Sequence, residues 1–146
     1  MSAEYGDLTK FGEALSRFGE QEREVFIRSC AKEIAARLLA KVVKRTPVGV
    51  YNDRVGGTLR RGWTAAKSVY NFTESLKVRR EGGKYIIDII NPVEYASYVE
   101  YGHRTPNHEG WVKGRFMLTV SVKEIRSIAP ALLEKRVRDK LKEVIK

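Results

Sequence analysis

Residues 20–45, EQEREVFIRSCAKEIAARLLAKVVKR, run without a single glycine or proline. Ile27, Ala31, Ile34, Leu38 and Val42 recur at three and four, with Cys30 and Ala35 beside them. Most of the charged positions fall on other faces. This is the pattern of an amphipathic helix, about 39 Å long at ~1.5 Å per residue. RTPVG stops it, because Pro47 pushes Thr46 out of helical angles and Gly49 frees the turn. A rigid rod of that length dominates what a chain of 146 residues can become.

The remaining elements arrange themselves after it. The first seven residues read as frayed and Leu8 to Phe18 as weakly helical, so 1–19 is expected to be a flexible N-terminal segment. Residues 46–63 hold four glycines, a proline and Asn-Asp, and read as one long loop. TAAKSVYNF reads as a short strand or extended segment. SLKVRREGGKYIIDIINP reads as a hairpin turning on Gly82-Gly83, with Asp88 inside its second strand and Asn91-Pro92 at its end. VEYASYVEYG reads as a short helix closed by Gly102, and 103–114 as a loop. Residues 115–129 are helical by pattern, through Phe116, Val120 and Ile128 with Met117 and Ile125 nearby. Pro130 either breaks or kinks that helix or opens a new one. Leu133, Val137, Leu141 and Val144 continue to the end. The expectation is a single α+β domain, with long N-terminal and C-terminal helices packed on one face of a small, mainly antiparallel sheet.

Charge is placed unevenly. Residues 1–40 carry 6 basic and 7 acidic side chains, and residues 41–146 carry 22 and 11. The net +10 favours acidic partners: nucleic acid, a membrane surface or an acidic protein patch. No run is apolar enough to span a bilayer and no leader opens the chain, so it reads as soluble and cytoplasmic in origin. The lone cysteine, Cys30, sits among apolar neighbours and reads as a buried, inert thiol.

Tests for chemistry come back empty. His103, His108 and Glu109 are too few donors for a metal, and no catalytic pair has a defined register. Asp53, Glu94, Glu100 and Glu109 read as loop or surface carboxylates. GVYNDRVGG lacks the Gly-Lys-Ser/Thr end of a phosphate loop. No cofactor or metal is expected. What stands out is aromatic and cationic residues in glycine-punctuated segments: RRGW, YASYVEYGHR and GWVKGRF. Trp63, Tyr98, Tyr101, Arg104, Trp111, Arg115 and Phe116 are candidates for a protein interface, since Tyr, Trp and Arg dominate such contacts. Arg60, Arg61, Arg79, Arg80 and Lys113 are candidates for contact with DNA or an acidic partner. For Tyr95, Tyr98 and Tyr101 the alternative is that one helix face simply packs on the sheet. A small basic nucleic-acid-binding module is the competing reading of the whole chain.

The order of pieces resembles a known family. TPV with G-T-L-R-R-G-W over 46–63, Y-A-S-Y-V-E-Y-G over 95–102, and Arg115-Phe116 resemble the tailed-bacteriophage neck and tail-completion proteins. These are the minor tail components typified by gene product ten of lambdoid phages, and the resemblance spans roughly residues 20–146. This chain differs in having a longer segment between the proline and Leu59-Arg60. The resemblance implies a structural, non-enzymatic virion protein, made in the bacterial host cytoplasm. Such a protein forms a ring at the neck or the top of the tail tube, as tail completion, terminator or collar. Sixfold symmetry is favoured and twelvefold is the alternative. The implied partners are other copies of the chain, the tail tube, neck or head-completion proteins, and non-specifically the DNA in the channel, with no membrane. The same family occurs in headless tail-like particles.

Overall fold

The structure, a computed structural model, describes residues 19–145. The expected frayed start and the weak helix over Leu8–Phe18 lie outside these residues. Helix α1 spans Glu20–Arg45, as its periodicity predicts. Glu20 and Glu22 sit in its first turn and Lys44 and Arg45 in its last, which suits the helix dipole. Helix α2, Thr58–Gly62, and helix α3, Val69–Ser75, follow. Strands β1, Arg79–Glu81, and β2, Lys84–Ile86, form one hairpin. Helix α4, Ala96–Tyr101, leads straight into β3, Gly102–Arg104, which pairs with β4, Trp111–Lys113. Helix α5, Met117–Ile145, closes the chain.

The fold is α+β, with one change of plan. The strands make two separate antiparallel hairpins of two strands each, not one sheet. The long helices therefore pack on each other. Lys41 Nζ donates to Glu124 at 2.9 Å, Arg45 to Ser121 Oγ at 3.0 Å, and Arg136 to Ser29 Oγ at 2.9 Å. Contacts climb α5 as they descend α1, so the two run antiparallel. The buried stripes differ from those expected. On α1 they are Cys30, Ala35, Leu39 and Val42, while Ile27 is partly exposed. On α5 they are Met117, Ser121 and Ile125, while Val120 and Ile128 face outward. Ser121 hides that stripe from a hydropathy reading; its hydroxyl is satisfied by Met117 O at 2.6 Å.

Three segments depart from expectation. The long loop ends at Gly57, because Thr58–Gly62 is helical. TAAKSVYNF is not a strand: Ser68 accepts the Asn71 N–H at 3.1 Å and caps α3. Residues 103–114 are a hairpin around a loop, closed by Thr105 N–H to Gly110 O at 3.0 Å. Pro130 lies inside α5, which continues through it. The first hairpin stands as expected, with positive φ at Gly82 and Gly83, but it is short and leaves Asp88 beyond β2. The core joins Leu39, Val42, Leu59, Trp63 and Met117.

Candidate interaction surface

The aromatic-rich stretch is assembled by reciprocal capping. Two orphan carbonyls of α4 are taken by the returning chain: Arg115 N–H donates to Val99 O at 2.8 Å and Phe116 N–H to Glu100 O at 3.0 Å. In exchange, the buried Glu100 carboxylate accepts from Leu118 N–H at 3.0 Å, Thr119 N–H at 2.9 Å and the Thr119 hydroxyl at 2.8 Å. It caps α5 where the dipole favours negative charge. Glu100, read from sequence as a surface carboxylate, is thus an internal cap. Gly102 makes the close turn possible. Its φ is +92°, and a Cβ there would lie 2.6 Å from Val112 O.

This frame holds the aromatics outward. Tyr98, Tyr101 and Trp111 are 60%, 64% and 63% exposed, so the tyrosines do not pack on a sheet. Phe116 is half-buried, at a φ of +48° rarely adopted by a bulky residue, and meets Tyr101 edge-on at 6.5 Å. Tyr98 lies 5.9 Å from the His103 ring. Arg104 is opposite Trp111, and Lys113 is opposite Gly102, on one face of the hairpin. Arg104, Lys113 and Arg115 are exposed and face no carboxylate among the described residues. Val112, opposite His103 on the other face of the hairpin, is also exposed, and a lone valine carries no signal in the sequence.

The other candidates lie elsewhere. Trp63 is not on the surface: it is a core residue, 4% exposed, whose Nε1–H donates to Thr46 Oγ1 at 2.8 Å. Arg60 donates to Thr46 O at 2.7 Å from Nη2 and 3.1 Å from Nε, tying off the end of α1. Arg61 donates to Gly56 O at 2.9 Å. Arg79 pairs with Glu81 and Asp88, and Arg80 with Glu24. Four of the five cations set aside for DNA or an acidic partner are therefore used within the chain, and Lys113 alone joins the aromatic surface.

Among the described residues no three of His, Cys, Asp and Glu converge on a metal site. Cys30 is buried, and burial pushes its thiol pKa up, away from the reactive thiolate. Among the described residues no helix is long and apolar enough to cross a membrane.

Neither a curated protein nor a solved structure matches the chain. The profile of one family, described as "Bacteriophage HK97-gp10, putative tail-component", matches residues 9–102, well over half of the chain. The match runs from before α1 to Gly102 and stops short of β4 and α5, a narrower span than the motifs suggested. The chain belongs to the HK97-gp10-like family of bacteriophage tail components.

Proposed function

We propose that the protein is a structural ring subunit at the neck or the top of the tail tube, acting in tail completion, termination or as a collar. The observation that carries this reading is the outward-held group of Tyr98, Tyr101 and Trp111. A closed ring needs two different patches on each subunit, one for each neighbour. An aromatic surface held by reciprocal capping is preorganised for such a contact, with little ordering to be lost on association. The uncommitted cations beside it suit an acidic neighbour or, in a DNA-filled particle, phosphates in the channel.

Negative-stain electron microscopy of the purified protein, alone and with sheared tail tubes, tests this. Rings, free or capping tube ends, are expected. Tyr101→Ala and Trp111→Ala are expected to keep the circular-dichroism spectrum and lose the rings. Collapse of the fold in either variant would make that residue part of the core. Salt-dependent DNA binding by a monomer that ignores tubes would favour the nucleic-acid module.

A further inference from the structure

The segment between α1 and α2 has no regular structure, yet it is pinned. Gly56 packs so closely on Gly49 that a Cβ there would lie 1.8 Å from Gly49 O, and Arg61 holds Gly56 O from the far side. The loop so folded borders a half-open cavity of about 420 Å³ beside the start of α4. Val48, Tyr51, Leu59, Tyr95 and Val99 line it. The size falls within the ~300–1,000 Å³ of ordinary ligand pockets and admits one large apolar side chain. Val55 also lines it and is 83% exposed, and nearby Val50 is 95% exposed, so apolar surface continues outward from the cavity. Arg54 lies 4.1 Å over the Tyr51 ring and has no carboxylate partner among the described residues.

We propose that this cavity is a socket for an apolar side chain carried on an acidic segment of a different, neighbouring tail protein. The walls take the apolar group, and Arg54 takes a flanking carboxylate. Tyr95, which caps α4, and Val99 within it line the socket, while the same helix exposes Tyr98 and Tyr101 and runs into the hairpin that carries the exposed Arg104 and Lys113. One acidic partner can therefore engage both. The unpaired Arg54 and the net +10 of the chain favour an acidic segment as the occupant. The inference rests on the proposed tail role, and it names the partner chemistry that would offset the charge of a ring.

The test uses the full chain and a short synthetic peptide with one phenylalanine flanked by glutamates, followed by fluorescence anisotropy. Controls are the Phe→Ala peptide, a glutamine-flanked peptide and a duplex DNA. The acidic phenylalanine peptide is expected to bind, and both peptide controls to bind more weakly. Val55→Trp, which fills the socket from an exposed position, is expected to abolish binding, and Arg54→Gln to weaken it roughly threefold, as for one exposed ion pair. Both variants should keep the wild-type circular-dichroism spectrum. Binding indifferent to Val55→Trp, or equal for the glutamine-flanked peptide, would overturn the proposal. So would DNA binding tighter than peptide binding, or self-association that Val55→Trp abolishes without any peptide binding. Rings formed by a protein that ignores the peptide would sink the socket alone. Peptide binding without rings would sink the ring alone.

Discussion

Thr46 is fully buried, and its single hydroxyl serves two partners. It donates to Val42 O at 2.7 Å and accepts from Trp63 Nε1–H at 2.8 Å. Thr46→Val keeps the volume and strands the indole N–H, so it is expected to cost ~1–3 kcal/mol, read by urea denaturation; an unchanged midpoint would mean that the bond contributes nothing net. Glu100→Ala removes a charged cap from α5 and is expected to cost ~1–2 kcal/mol in the same measurement. Neither role was legible. The partners lie 17 and 19 positions away in the chain, too far for any local pattern to report. Exposure of Tyr101 and Trp111 was legible, because glycines at Gly102, Gly110 and Gly114 leave those aromatics little local cover.

Between elements, the α1–α5 pair is held at its ends by charge. Glu124 meets Lys41 and Arg45, and hydrogen bonds from Arg45 and then Lys41 hold its pKa down at about 2, against an ordinary 4.5. Because the folded value is depressed, the contribution is complete above about pH 4.5 and is lost as pH falls toward 2. The melting-temperature gap between wild type and Glu124→Gln should therefore be widest near neutrality and close across that interval. A gap independent of pH would show that the charge is not what matters. Pro130, exposed within α5, withholds a helical N–H. Pro130→Ala should raise stability by ~1–3 kcal/mol, measured by thermal melting; a loss instead would mean that the proline sets the path of the helix. The helices themselves were plain from periodicity, but which stripe they bury was not, since Ser121 occupies a core position.

At the scale of the whole molecule, the net +10 sets the terms of assembly. Raising salt from about 50 to about 500 mM shortens the screening length from roughly 14 Å to roughly 4 Å. Repulsion between copies weakens, and so does attraction to an acidic partner. Sedimentation velocity is expected to show self-association favoured by salt, while binding of the glutamate-flanked peptide is disfavoured. Two trends of the same sign would mean that one surface chemistry governs both contacts.

The sequence by itself determined the local elements: α1 from its uninterrupted period, the first hairpin from Gly82-Gly83, the end of α4 at Gly102, and the family, which its motifs suggested over roughly residues 20–146 and which matches over residues 9–102. These depend on backbone angles and short-range periodicity, which neighbouring residues carry. Only the tertiary structure decided that the strands form two hairpins instead of one sheet, that Trp63 is core, and that all four suspected DNA-binding arginines are bound within the chain. Trp63, Arg60 and Arg80 are satisfied by groups 17, 14 and 56 positions away, which no local pattern reports, and even the nearer partners of Arg61 and Arg79 are fixed by how the chain turns rather than by residue type.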